Sequence, residues 1–290
     1  MADLPLPHEA PAPPPEEGTV RAPDGLRLYY RVFGVPEPSG TLIILHGHGE
    51  HIGRYEKFYS MLRDENLTIA GCDFRGHGCS EGPEVYVTHY DQYLDDFSFF
   101  MDVLKDRYPL KGKTILLGHS MGGLAAVHWA ARHPERLQGL ILSSPCLGLR
   151  LPPFLVSFNA VLNRYLPKFL YQNPVYPPHL THNPEEVAQY KKDKLIKRRM
   201  SARLVHESLL AMKRLEARKA FAFPFPVYIL AAGLEKIVDS SKTQLFFDKV
   251  RAPAKEMIVF PGFYHEIFNE LQQQQAFDVL KNCIRKIKAG

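Results

Sequence analysis

A chain of 290 residues, 45% hydrophobic and 23% charged, has the composition of a globular protein and the length for one large core carrying an insertion. Its 36 basic and 31 acidic side chains leave a net charge of +5, spread thinly except for one run, and this argues against nucleic acid as a partner. No run approaches the roughly 18 apolar residues that a transmembrane helix needs.

The first 17 residues, MADLPLPHEAPAPPPEE, are Pro-rich and acidic and lack the basic and apolar regions of a signal peptide. They are expected to form a disordered leader (1–17), and the protein is expected to be cytoplasmic. Residues 18–33 then read as a hairpin around Asp24-Gly25. From 41 onward short apolar runs alternate with helical patterns. Strands are expected at 41–45 (TLIIL), 67–72, 114–117, 140–143, 227–231 and 257–260, and several are apolar on both faces, as in a covered parallel sheet. Helices are expected near 55–64, 92–107, 122–132, 242–249 and 266–288. This alternation predicts an α/β fold with a mostly parallel, doubly wound sheet. The rhythm breaks at 148–220, which is rich in proline and then in charge. The expected organisation is therefore a core of 18–147 and 221–290 with a helical cap insertion (148–220) over the carboxyl ends of the strands.

Four cysteines (Cys72, Cys79, Cys146, Cys283) have no CxxC or Cys/His spacing and read as buried free thiols. A Cys72–Cys79 pair across a turn is the alternative.

The chemistry concentrates at strand ends. In TILLGHSMGG a hydrophobic strand runs into Gly118-His119-Ser120-Met121-Gly122 and then into a helical pattern, which is the context that gives G-x-S-x-G its meaning as a nucleophile elbow. Glycines on either side permit the tight turn, Ser120 is the candidate nucleophile, and the Met121 N–H lies at a helix N-terminus where an oxyanion is stabilised. A second donor is expected after TLIIL, from the backbone N–H of His48 in His46-Gly47-His48-Gly49. A metal at His46, His48 and His51 is the minor alternative, and neither metal nor cofactor is expected.

A serine hydroxyl needs a base, and in this fold the order along the chain is Ser, acid, His. His265 follows the last strand and is the candidate base. The acid belongs in the loop after VYILA, where Glu235 and Asp239 compete; Glu235 is nearer the strand end, and Asp239 precedes a helix that it could cap.

The segments HGHGEHIGRY, DFRGHGCSEG, GHSMGG, AAGLEKIVD and PGFYHEIFNE, in this order, resemble the signatures of the monoacylglycerol lipase and lysophospholipase branch of the α/β-hydrolase superfamily, of the S33-like type. The resemblance runs from about residue 18 to the C-terminus and is weakest in the cap. It implies esterase chemistry without a cofactor, a mobile cap over an acyl channel, Ser120 and His265 as nucleophile and base, and His48 and Met121 as oxyanion donors. The family's acid is usually Asp and falls on Glu235, one methylene longer. Asp73 and Arg75 are expected to brace loops behind the oxyanion hole.

The cap opens with LPPFLVSFNAVLNRYLPKFLY, an apolar stripe that reads either as core or as the lining of an acyl site. It later carries KKDKLIKRR, a solvated helix face or a weak attraction to anionic membrane surfaces. The expected function is hydrolysis of lipid-like esters, monoacylglycerols or lysophospholipids, through an acyl-enzyme on Ser120, with peripheral membrane contact through the cap. A general carboxylesterase for short or aromatic esters and a non-catalytic binder of hydrophobic ligands are the alternatives.

Overall fold

The computed structural model describes residues 14–108 and 110–290. Residues 1–13 of the expected leader lie outside that range, and the first strand already begins at Glu16. Eight strands form one sheet: β1 (Glu16–Arg21), β2 (Arg27–Phe33), β3 (Gly40–Leu45), β4 (Leu67–Cys72), β5 (Lys113–His119), β6 (Gly139–Ser143), β7 (Val227–Ala232) and β8 (Lys255–Phe260). Their order across the sheet is β1-β2-β4-β3-β5-β6-β7-β8. Every pairing from β4 to β8 is parallel, whereas β2 runs antiparallel to both β1 and β4. The β1–β2 hairpin turns at Gly25, whose φ of 91° is open to glycine and strained for other residues.

The helices are α1 (Glu56–Met61), α2 (Asp91–Arg107), α3 (Met121–Arg132), α4 (Pro153–Tyr165), α5 (Pro184–Lys192), α6 (Ala202–Ala217), α7 (Ser240–Lys249) and α8 (Gln273–Ala289). The central strands are buried along their whole length, so alternate side chains serve two cores. Ile43, Leu45 and Leu116 join Leu124, Trp129 and Phe97 of α2 and α3 on one face. Leu42, Ile44 and Ile115 join Phe58 of α1 and Phe277, Leu280 and Ile284 of α8 on the other. Each of these aliphatic side chains contributes about 1.5–3 kcal/mol on burial. The first and last expected helices are each broken. Helix α1 stops at Met61 and Arg63–Glu65 follow as a 3-10 turn, while Ile267–Asn269 form another ahead of α8 and Leu271 is exposed.

Between β6 and β7 lie α4, α5 and α6 with a two-strand ribbon, Leu170–Gln172 against Arg199–Ser201. Helix α4 is inverted relative to an ordinary amphipathic helix: Asn159 and Asn163 are its buried residues, while Phe154, Phe158, Val161 and Tyr165 are 59–71% exposed. Asn159 is held inward by donating to Ala202 O (3.2 Å) and accepting from the Tyr171 hydroxyl (2.9 Å). The apolar stripe is thus only partly inside. The basic run also differs from a plain helix face. Helix α5 ends at Lys192, and residues 193–198 cross over the loop after β3, where the Lys197 N–H donates to Gly49 O (2.7 Å). All four cysteines are free; Cys79 is exposed rather than buried, and no Cys72–Cys79 disulfide is formed.

The loop after β4 is braced as a unit. The Asp73 carboxylate accepts from the backbone N–H of Ile52 (2.7 Å) and of Cys79 (2.8 Å), which joins this loop to the one after β3. Arg75 points the other way, forking onto Asp96 of α2 (both bonds 2.6 Å) and reaching Asp24 of the hairpin turn (2.7 Å). Arg75 and Asp96 side chains are nearly fully buried. Arg75→Met is therefore expected to destabilise the fold by about 3–5 kcal/mol in urea unfolding, with Arg75→Met/Asp96→Leu recovering most of it. A single variant within about 1 kcal/mol of the parent would show that the pair is not structural.

Candidate active site

The strand-to-helix turn at the end of β5 is the tightest feature of the fold. Ser120 has φ 51° and ψ −118°, a conformation that non-glycine residues rarely adopt and that is held only by its surroundings. Its N–H donates to Ser143 O (3.0 Å) and its carbonyl accepts from Gly123, Leu124 and Cys146. The flanking glycines are required by proximity: a Cβ on Gly118 would sit 2.6 Å from Gly122 O, and one on Gly122 would sit 2.5 Å from His46 O. The result is a serine at the N-terminus of α3, facing a cavity of about 110 Å³.

His265 lines the same cavity, in the loop between β8 and the 3-10 turn. Its Nδ1 lies 2.7 Å from Glu235 Oε2, and both side chains are almost wholly buried. A carboxylate can only accept, so Nδ1 carries the proton and Nε2 is left as the acceptor. Glu235 Oε1 takes the N–H groups of Ile237 (2.7 Å) and Val238 (3.2 Å), which locks the carboxylate on the strand-end loop. Burial alone would disfavour the imidazolium, but Glu235, with Glu266 and Glu50 behind it, raises His265 above an ordinary histidine. Burial likewise opposes ionisation of Glu235, and the facing His265 and the two N–H donors bring its carboxyl below the usual range. Asp239 is elsewhere: its Oδ1 accepts from Ser241 N (3.1 Å) and Ser241 Oγ (2.8 Å), capping α7.

The loop after β3 faces Ser120 from the other side. Gly47 N–H is taken by Glu50 Oε1 (2.5 Å), while the N–H groups of His48 and Met121 enter no turn, cap or side-chain bond among the described residues. The three histidines here diverge. His46 Nε2 accepts from Phe74 N (3.0 Å) with Nδ1 on Gly47 O, His48 Nε2 meets Arg199 O (3.2 Å), and His51 Nε2 meets Asp193 (2.8 Å). Each ring therefore has its own partner.

Several residues around the cavity were not singled out from the sequence. Glu50, His119, Asn173, Tyr190 and Glu266 all line it, beside Cys146, which the sequence marked only as a free thiol. Their one visible signal was adjacency: Glu50 follows His48 in a strand-end loop, and Glu266 follows His265. Burial brings His119 down to about 4, so it is neutral at pH 7. Along one wall the cavity adjoins a larger one of about 590 Å³, with Leu149, Asn173, Val175, Met200, Val205 and Ile237 common to both. The larger cavity is mainly apolar and is lined on the α4 side by Leu155, Val156 and Phe158, with Arg150, His179 and Lys236 among its polar groups.

A mostly parallel sheet with a serine on a strained elbow, a buried carboxylate–imidazole pair in the last two strand-end loops, and a helical insertion above defines an α/β-hydrolase. The family described as serine aminopeptidase, S33 (Hydrolase_4) matches residues 36–272, and the chain belongs to that family of hydrolases. Human monoglyceride lipase is 32% identical over 260 residues, covering 86% of this chain and 83% of that protein. Phospholipase YtpA of Bacillus subtilis is 30% identical over 244 residues, 83% of this chain and 93% of that protein. Among solved structures, the monoacylglycerol lipase of Paleococcus ferrophilus superposes with a TM-score of 0.81 at 28% identity, covering 90% of this chain and 99% of that one.

Glu235→Gln is expected to lower kcat by about 10²–10⁴ on a soluble ester, and to move the acidic limb of kcat/KM to lower pH because the carboxylate that raises His265 is gone. Asp239→Asn is expected to stay within about twofold of the parent, since Asn caps a helix as well as Asp. The reverse pattern would assign the acid to Asp239.

Proposed function

We propose that the chain hydrolyses lipid-like carboxylic esters, monoacylglycerols or lysophospholipids, through an acyl-enzyme on Ser120. Under this reading His265 Nε2 takes the Ser120 proton as the hydroxyl attacks the ester carbonyl, while Glu235 holds the imidazole tautomer and stabilises the imidazolium. The N–H groups of His48 and Met121 receive the oxyanion, aided by the N-terminus of α3. Collapse of the tetrahedral intermediate returns the proton from His265 to the departing alcohol oxygen. Water, deprotonated by the same histidine, then cleaves the acyl-enzyme and frees the acid.

One observation carries the choice of substrate: the cavity at Ser120 shares a wall with about 590 Å³ of mainly apolar space lined by α4, in the range of sites that enclose most of a ligand. The relatives named as monoglyceride lipase and phospholipase support the same reading. The alcohol side is polar, with Glu50, His119 and Glu266 in the wall of the smaller cavity. A glycerol group fits that chemistry better than an aromatic ring.

The exposed face of α4 extends the proposal to peripheral contact with lipid surfaces. Phe154, Phe158, Val161 and Tyr165 share one face of the helix, and Leu166 and Phe169 continue it at 56% and 48% exposure. An apolar patch of this kind is seldom left to water. The same helix lines the larger cavity through Leu155 and Val156, so a lipid has a short path from an interface toward Ser120. No helix among the described residues is long and apolar enough to cross a membrane.

A series of p-nitrophenyl esters from acetate to laurate tests the acyl channel. Each added methylene is expected to raise kcat/KM about fourfold while it is buried, from about 0.8 kcal/mol of transfer energy. A maximum at acetate would favour a general carboxylesterase. Covalent labelling by a fluorophosphonate, lost in Ser120→Ala, is expected; an unlabelled parent protein would leave only a non-catalytic ligand binder. Phe154→Asp, at a residue that is 70% exposed and does not line the cavity, is expected to reduce co-sedimentation with phospholipid vesicles while leaving hydrolysis of a soluble short ester unchanged. Unaltered vesicle binding would remove α4 as the contact.

A further inference from the structure

The two loops assigned above to the oxyanion donor and the base stand on β3 and β8, which are four positions apart in the sheet. Four strand spacings amount to about 19 Å, and no main-chain pairing joins the two strands. Something other than the sheet must keep the loops in a fixed relation above Ser120. One side chain spans them. Arg54 donates from Nη1 to Glu50 Oε2 in the oxyanion loop (2.8 Å) and forks onto Glu266 in the base loop through Nη1 and Nη2 (both 2.8 Å).

Both carboxylates are tied to the reacting groups. Glu50 Oε1 accepts the Gly47 N–H (2.5 Å) and the Tyr55 hydroxyl (2.8 Å), which fixes the peptide just before the one whose N–H belongs to His48. Glu266 adjoins His265 in the chain, accepts from Asn269 Nδ2 (2.6 Å), and is held from the cap by its N–H on Leu180 O (2.7 Å). The ring of Tyr190 on α5 covers the guanidinium at 5.2 Å. The three charged side chains are 6–11% exposed.

The arrangement is poorly suited to stability alone. Two carboxylates share one guanidinium, and the surplus negative charge is buried, where apolar residues of similar volume would serve the fold at least as well. What the surplus charge faces is His265. The groups around that imidazole are Glu235 from the loop after β7, Glu50 and Arg54 from the segment after β3, neutral His119 from the end of β5, and Glu266 from its own loop. The cap side of the cavity offers Asn173, Tyr190 and Ser208, which are uncharged at neutral pH. A net negative frame of this kind favours the imidazolium that forms as Ser120 attacks.

We propose that Arg54 is a positioning residue for hydrolysis: its guanidinium clamps the oxyanion loop to the base loop, holding the His48 N–H and the His265 imidazole in one frame around Ser120. The proposal rests on the catalytic reading given above. Lysine keeps the charge of Arg54 but has no planar fork to hold Glu266 while reaching Glu50.

The test measures hydrolysis of p-nitrophenyl butyrate by Arg54→Lys, Glu266→Gln and Ser120→Ala alongside the parent, with thermal unfolding of each. Arg54→Lys is expected to lose about 10² in kcat with KM changed by less than about threefold, because misplaced groups damage the transition state more than substrate binding. Glu266→Gln, nearly the same shape, is expected to shift the acidic limb of kcat/KM to lower pH, which a purely structural role would not do. Arg54→Lys within about threefold of the parent kcat overturns the proposal. If Arg54→Lys does not fold, Glu266→Gln decides: an unmoved acidic limb with parental kcat overturns it. Ser120→Ala separates the two levels. An active Ser120→Ala sinks the catalytic reading itself, whereas an inactive Ser120→Ala beside a fully active Arg54→Lys sinks the clamp alone.

Discussion

Ser120 sits in a backbone conformation that costs on the order of 1–3 kcal/mol, and much of the site's architecture follows from how that turn is held. The chain must leave a buried strand and enter a buried helix within one residue, so β5 and α3 have to approach to the limit set by backbone atoms. Gly118 and Gly122 permit the approach, and the Ser120 N–H and C=O are taken by the end of β6 and the first turn of α3. With that turn in place, the ends of β3, β7 and β8 form a rim around one serine. The loops on that rim carry His48, Glu235 and His265 without needing strain of their own.

The cap is joined to this rim unevenly. Residues 180–186 are stitched to the base loop: Thr181 Oγ1 donates to Asn269 O, His182 bonds to the buried Glu270 that also accepts the Tyr264 N–H, and Lys57 reaches Glu186. Residues 193–199 are bound across the loop after β3 through His51, Gly49 and His48. Helix α4 instead is bonded to α6 through Asn159 and leaves most of its aromatic surface exposed. One half of the cap thus shares the geometry of the candidate site, and the other half forms the roof of the apolar cavity and a surface suited to lipid. This division places the polar wall near Ser120 and the mainly apolar cavity under different parts of the same insertion.

The sheet was legible because its strands are short, apolar and flanked by turn residues, and the elbow because strand, glycine, serine, glycine and helix occur without a gap. The choice between Glu235 and Asp239 was legible only as a preference. Both lie within one loop, and spacing cannot say which carboxylate turns inward; the N–H groups of Ile237 and Val238 fold Glu235 back toward His265, while Asp239 is used by α7. The α4 stripe misled for a related reason. Periodicity reports that a helix has an apolar face, and burial of that face is the usual outcome, but here Asn159 finds partners on α6 and Tyr171 and the helix turns over. The long final helix was cut because Glu266 and Glu270 are drawn to partners outside it, Arg54 and His182.

By itself the sequence determined the class of fold and the strand ends at which the candidate residues Ser120, Glu235 and His265 stand, since these depend on local pattern and on short segments whose conformation is dictated by glycine, β-branched runs and helical spacing. Only the tertiary structure decided which carboxylate meets His265, which way α4 faces, and that Arg54 joins two loops whose residues lie 212 positions apart along the chain. Those outcomes turn on directional bonds between distant groups in a site closed to water, where an unpaired charge or amide is costly and the partner is chosen by proximity in the folded molecule.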